Sequence, residues 1–220
     1  MSPSHTTRGI IFDLWNTLAF TDHDPHPLSA IASAFGLAGE ADWRKVLERA
    51  MMTRRLSGIG EGLDAITAAT GRRIAGRWSR RELIMLWGEA NNANRLFPDV
   101  LPVLRALRPA SGRPGYRLGI LSNTQSFDLD FLGSSGLGRA VDELCLSCDC
   151  GLLKPDPEIF RIASRRLGLP PEEILMVGDS LVDDVEGARC AGLQAIHLDR
   201  TAGAGAVTDL RELAGHLSSS

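Results

Sequence analysis

Five short apolar runs recur along the chain, most of them ending abruptly in polar residues. Gly9-Ile10-Ile11-Phe12 is continuous and apolar, stops at Asp13, and is followed by the turn chemistry of Asn16-Thr17. Arg117 to Leu121, Asp142 to Ser147, Ile174 to Val177 and Ala195 to Leu198 read as further strands. Between them, Val100 to Leu107, Pro157 to Leu167 and Asp183 to Ala191 place apolar residues at helical spacing. Strands alternating with helices predict a parallel α/β sheet. Residues 20–27 are polar and punctuated by Pro25 and Pro27, so they read as a loop. From there to residue 95 the pattern is helical only, near 28–36, 41–57, 61–70 and 79–94, with Gly36, Gly58, Gly60 and Gly71 at the stops. The expected organisation is a sheet core built from residues 1–19 and 96–220, with a small helical domain of residues 20–95 inserted after its first strand. No internal repeat is evident. A long loop is expected over 108–115, and mobile segments at 202–206 and 218–220.

The chain's 220 residues suit one large domain or one carrying a smaller insert, and can bury a core without disulfides. Lys plus Arg is 24 and Asp plus Glu is 27, a formal net charge of −3. That balance gives no general attraction to nucleic acid or anionic membrane. No apolar run is long enough to span a bilayer, and the first eight residues are polar rather than a secretory signal. Four cysteines do not make a disulfide scaffold. A cytoplasmic protein is expected.

In an open parallel sheet, ligands gather outside the carboxyl ends of the strands. Those ends carry Asp13, then Ser122-Asn123-Thr124, then Lys154 with Pro155-Asp156-Pro157, then Gly178-Asp179-Ser180 with Asp183 and Asp184 one turn later. Carboxylates, a hydroxyl and a lysine converging on one pocket suit a magnesium-dependent phosphate site. The cation takes hard oxygen ligands, the lysine and hydroxyl hold phosphoryl oxygens, and a carboxylate can attack phosphorus.

Phe12-Asp13-Leu14-Trp15-Asn16-Thr17-Leu18, Leu121-Ser122-Asn123-Thr124, the segment 151–160 and the segment 177–189 together resemble, in order, the four motifs of the haloacid dehalogenase-like hydrolase superfamily. The resemblance implies a Rossmann-like core and a small helical cap. It also implies roles: Asp13 as the nucleophile that becomes an aspartyl-phosphate, Ser122 and the Asn123 amide as phosphoryl binders, and Lys154 as the cation that stabilises developing charge. Magnesium would be held by Asp13, the backbone carbonyl of Trp15 and Asp179. Asp184 would orient Lys154 or a metal-bound water, with Asp183 nearby.

Phosphatases of that family carry an Asp two residues after the nucleophile, which protonates the leaving alkoxide and then activates water. Here the position is Trp15, whose indole neither gives nor takes a proton at neutral pH. Losing such help costs about 10²–10⁴ in rate. Three readings stand. The chain is a phosphohydrolase with a less demanding leaving group or a substitute acid, for which Asp22, His23, Asp24 and His26 are candidates. It is a 2-haloacid dehalogenase-like enzyme, a branch with an aromatic residue at this position but without magnesium or the Gly-Asp that Gly178-Asp179 retains. Or it is a binding or regulatory protein that keeps the site.

Plainer readings fit the remaining signals. Cys145, Cys148 and Cys150 have no second Cys or His cluster to complete a zinc site, so they read as buried thiols, and Cys190 as core packing. Arg72, Arg73, Arg77, Arg80 and Arg81 read as a solvated face offset by Glu82 and Glu89. Trp43, Met51, Met52, Trp78 and Trp87 are expected in the insert's own core, with one or two facing the pocket. Arg54 and Arg55 are placed to reach a substrate, and Thr17 to brace the nucleophile turn.

Overall fold

The computed structural model describes residues 7–109, 115–201 and 207–217; the expected mobile segments 202–206 and 218–220, and most of the 108–115 loop, lie outside them. The strands among the described residues are β1 (Gly9–Phe12), β2 (Ala19–Thr21), β3 (Asn94–Leu96), β4 (Arg117–Ser122), β5 (Glu143–Leu146), β6 (Ile174–Gly178) and β7 (Gln194–His197). The helices are α1 (Pro27–Ala34), α2 (Trp43–Met51), α3 (Ile59–Thr70), α4 (Arg80–Asn92), α5 (Val100–Leu107), α6 (Asp130–Ser134), α7 (Leu137–Ala140), α8 (Ser147–Cys150), α9 (Pro157–Leu167), α10 (Gly187–Cys190) and α11 (Leu213–Leu217).

Five strands form a parallel sheet in the order β5-β4-β1-β6-β7. The continuous apolar run of β1 is buried at every position because the strand is central and covered on both faces. Ile10, Phe12, Leu118, Ile120, Leu175 and Val177 pack on one side with Val103 and Leu104 of α5. Ile11, Leu121 and Met176 pack on the other with Ile159, Phe160 and Leu167 of α9. Such alternation is what the pleat dictates. The architecture is therefore the expected Rossmann-like α/β sheet.

The helices α1–α4 bury Ile31, Leu47, Met51, Leu63, Ile66 and Leu83 in a core cluster of their own. The chain crosses into and out of this helical part through β2 and β3, which pair antiparallel as a two-stranded ribbon. The loop expected at 20–27 is thereby shortened to 22–26, between β2 and α1, and β3 adds a strand at the end of the stretch 28–95, where none was expected. Three residues per strand are too few to show an alternation. Helix α2 also ends at Met51 rather than continuing to 57. The residues after it turn toward the sheet, where Ser126 Oγ accepts from the Leu56 amide (2.8 Å) and donates to its carbonyl (2.7 Å). Arg55 pairs with Asp149 at 2.7 Å, and Trp87 meets Phe127 edge-on at 5.5 Å. The helical part is thus docked on the carboxyl end of the sheet.

Candidate active site

The register of β1 against β4 and β6 sets Phe12 opposite Ile120 and Val177. The residues leaving those strand ends share one edge of the sheet. Asp13 keeps the strand course, donating its amide to the Val177 carbonyl at 2.9 Å. Lys154 arrives from the loop before α9 and is held by Asn123, whose Oδ1 accepts the Lys154 amide (2.8 Å) while its Nδ2 donates to the Lys154 carbonyl (3.2 Å). The Lys154 ammonium then bridges two carboxylates, Asp13 Oδ1 and Asp184 Oδ1, each at 2.5 Å. All three side chains are almost fully buried. Burial alone would lower the lysine's affinity for its proton, but Asp13 and Asp184 outweigh it and hold Lys154 as ammonium above its usual range. Burial pushes the Asp13 carboxyl up against the pull of Lys154, with Asp184 and Asp179 adding to the rise.

After β6 the chain forms a π-helical turn, Leu181–Glu186, in place of the α-helix expected from 183, and becomes α-helical only over α10. Ser180 caps the turn, its Oγ accepting from the Asp183 amide at 3.0 Å. Asp184 folds back so far that a Cβ on Gly178 would lie 2.3 Å from its carboxylate, so only glycine fits there. The Ser180 amide donates to Asp184 Oδ2 at 3.1 Å. Asn16, in the left-handed region at φ 61°, hydrogen-bonds Asp179 through its side chain. Burial raises the carboxyls of both Asp179 and Asp183. Asp13, Asp179 and Asp184 offer ligand oxygens within 4.8 Å of one another, a hard, all-oxygen set suited to a divalent cation such as magnesium.

A cavity of about 490 Å³ opens above these residues, lined from the sheet by Asp13, Trp15, Asn123, Lys154, Asp179 and Asp183, and from the helical part by His26, Arg44, Glu48, Met52, Trp87 and Asn91. Ser122 is fully buried as the last residue of β4, and its Oγ has no hydrogen-bond partner among the described residues. Trp15 lies at the cavity edge, its indole stacked with Phe131 at 6.1 Å and donating to Thr124 Oγ1 at 3.3 Å.

The other candidates separate cleanly. Of Asp22, His23, Asp24 and His26, only His26 lines the cavity; it caps α1 by accepting the Leu28 amide at 3.3 Å. His23 faces Glu89 instead, at 3.8 Å. Of the helical aromatics and methionines, Met52 and Trp87 reach the cavity, while Trp43, Met51 and Trp78 belong to the packing of the helices. Arg54 and Arg55 do not line it; Arg55 is spent on Asp149. In the arginine cluster, Arg72 pairs with Glu40 and the Gly36 carbonyl, and Arg80 with Asp64, both on the solvent side. Thr17 is buried and braces the turn through its carbonyl, which accepts two bonds from Arg200 (2.7 and 3.2 Å); Arg200 is anchored in turn on Asp99 at 2.7 Å. Cys145 and Cys148 are buried, with burial pushing their thiols up to about 12 and about 11. Cys190 is exposed, not core: Ala188 takes the inward position of α10 and Cys190, two residues on, faces out. Sequence reasoning missed Arg44 and Glu48, although 44, 48 and 52 recur at the four-residue spacing of one helix face.

The haloacid dehalogenase-like hydrolase family model matches residues 7–192. The chain belongs to this family. Among its relatives, the glyceraldehyde 3-phosphate phosphatase of Methanopyrus kandleri is 37% identical over 105 residues, which is 47% of this chain and 43% of that protein. The chain thus spans less than half the length of that relative in the match. The phosphoglycolate phosphatase of Salmonella paratyphi A is 28% identical over 227 residues, 90% of this chain and 83% of that one. A 2-haloacid dehalogenase of Pseudomonas syringae pv. Tomato shares the fold, with TM-score 0.59 and 22% identity over 97% of this chain and 99% of that one. Likeness of fold within the haloacid dehalogenase-like hydrolases therefore does not separate phosphate from halide chemistry.

Proposed function

We propose that the chain is a magnesium-dependent phosphomonoester hydrolase acting on a small metabolite through an aspartyl-phosphate at Asp13. The observation that carries this reading is Lys154 standing between Asp13 and Asp184, with Asp179 completing the oxygen cluster. A halide displacement gains nothing from three gathered carboxylates. The relatives named as phosphatases support the same reading.

In this reading Asp13 Oδ1 stays on Lys154 and Oδ2 attacks phosphorus. Lys154 balances the charge that gathers on the phosphoryl oxygens. Ser122 Oγ, lacking a protein partner, and the Asn123 amide receive those oxygens. Asp13, Asp179 and the Trp15 carbonyl would hold magnesium, with Asp183 and Asp184 around them; the ion would supply Lewis-acid stabilisation of phosphoryl charge. Residues 20–95 act as a cap over the cavity, with the β2–β3 ribbon as its connection, and exclude bulk water. No helix among the described residues is long and apolar enough to cross a membrane, in keeping with a cytoplasmic enzyme and a soluble substrate.

Trp15 favours a second reading, a magnesium-independent dehalogenase. One experiment decides between them: release of phosphate from 4-nitrophenyl phosphate and of chloride from 2-chloropropionate, with and without magnesium, by wild type and Asp13→Asn. Magnesium-dependent phosphate release that disappears in the variant is expected. Chloride release without magnesium would replace this reading with the second, and silence on both would favour a binding protein.

A further inference from the structure

Trp15 leaves the sheet side of the cavity without a proton carrier for the leaving group, yet the cavity has a second wall. We infer that Glu48, projecting from α2 into the cavity that holds Asp13, is the general acid and base of the reaction, supplied by the helical part in place of the residue Trp15 displaces. The inference rests on the phosphohydrolase reading above.

Most of the cavity's other ionisable groups are committed elsewhere. Lys154 is locked between Asp13 and Asp184. Asp179 and Asp184 belong to the oxygen cluster, and a guanidinium such as that of Arg44 does not release a proton. His26 spends Nδ1 on the Leu28 amide as the cap of α1, and desolvation first, then the charge of Arg44, lowers its affinity for a proton. Asp183, the other lining carboxyl outside the cluster, stands beside it on the sheet side. Among the described lining residues Glu48 is the carboxyl that the helical part supplies, partly buried and with neither hydrogen bond nor ion pair. The groups whose charges it feels are Asp183 across the cavity, Lys154 beneath, and Arg44 and Lys45 on its own helix. Burial first, and Asp183 second, push its carboxyl up to about 6, against the three cations. A carboxyl in that range exchanges a proton readily near neutral pH.

The proton accounting closes. As Asp13 Oδ2 bonds to phosphorus, the bond from phosphorus to the ester oxygen breaks and its electron pair stays on that oxygen. The oxygen takes the proton of Glu48 and leaves as the alcohol. Water then adds to phosphorus, gives its proton to the Glu48 carboxylate, and displaces Asp13. Inorganic phosphate departs, and the enzyme returns to its starting protonation.

The test uses two aryl esters, 4-nitrophenyl phosphate and phenyl phosphate, which differ in how much the leaving oxygen needs a proton. Glu48→Gln is expected to lose at least about tenfold more kcat/KM on phenyl phosphate than on the nitrophenyl ester. The wild-type fall in phenyl phosphate hydrolysis above pH 6 is expected to flatten in the same variant. Equal losses on both esters, or none, would overturn the role of Glu48 while leaving the phosphatase intact. The selective loss appearing in His26→Asn instead would transfer the role to His26. Failure of wild type to release phosphate from either ester would overturn the phosphatase reading and this inference together.

Discussion

The indole Nε1 of Trp15 donates to Thr124 Oγ1 at 3.3 Å, tying the residue two places after Asp13 to the end of the neighbouring strand. The tie continues inward, because the Thr124 amide donates to Ser147 Oγ at 2.9 Å and Ser147 Oγ donates back to the Thr124 carbonyl at 3.2 Å. Trp15 is therefore a built part of the wall, braced by Phe131. Trp15→Asp removes the brace but supplies a carboxyl beside Asp13. Placed in the Glu48→Gln background, where the inferred proton carrier is gone, it is expected to restore phosphatase activity by about tenfold or more on substrates with poor leaving groups, measured as kcat with phenyl phosphate. A well-folded double variant with no gain over Glu48→Gln would mean that a carboxyl beside Asp13 does not reach the leaving oxygen.

Lys154 faces a different constraint. It is the cation shared by two buried carboxylates, so removing it strands both. Lys154→Met is expected to abolish turnover and to cost about 3–5 kcal/mol of stability. Adding Asp184→Asn removes one of the stranded charges while keeping an acceptor for the Ser180 amide. The double variant should unfold at a higher denaturant concentration than Lys154→Met alone. The opposite order would show that repulsion between the carboxylates is not what the lysine relieves.

The residues that carry this argument were not equally readable in the sequence. Asp13, Asp179 and Lys154 stand out because β1 and β6 are continuous apolar runs that stop abruptly, and a parallel sheet brings such stops to one edge. The ribbon of β2 and β3 was hidden because each strand is three residues long and its partner lies some 70 residues away. Glu48 was hidden for another reason. Helix α2 carries Arg44, Lys45, Glu48 and Arg49 close together, and which of these meets the site depends on how the helix docks. The turn of Leu56 onto Ser126 sets that docking and leaves no periodic trace. Cys190 was misread because the π-helical turn before α10 shifts the inward face to Ala188.

Gly178 allows a test of the lysine's second partner without touching any charge. A methyl group at this position would overlap the Asp184 carboxylate, which sits 2.3 Å from where the Cβ would be. Gly178→Ala should drive Asp184 off Lys154 and open the π-helical turn. Loss of at least about 10²-fold in kcat is expected, together with lower stability from the strained packing. Near-normal turnover in this variant would mean that Asp184 contributes little to the placement of Lys154.

The last prediction concerns stability and pH. Glu48 has its carboxyl raised from 4.5 to about 6, chiefly by burial. The folded protein therefore binds a proton here more tightly than the unfolded chain does, and the stability tied to that proton is complete below pH 4.5. It is lost as pH rises through about 6, because the folded state must then hold a partly desolvated charge. With the group still partly open to solvent, the loss is about 1–2 kcal/mol. Glu48→Gln removes the charge and keeps the shape. Measured by thermal unfolding in metal-free buffer, the variant should match wild type near pH 4 and melt about 2–8 °C higher at pH 7 to 8. A carboxylate kept at a stability cost is the behaviour expected of a working group rather than a structural one. A difference that does not change with pH, or a variant less stable than wild type at pH 7, would show that Glu48 is already paired and stable in its charged form.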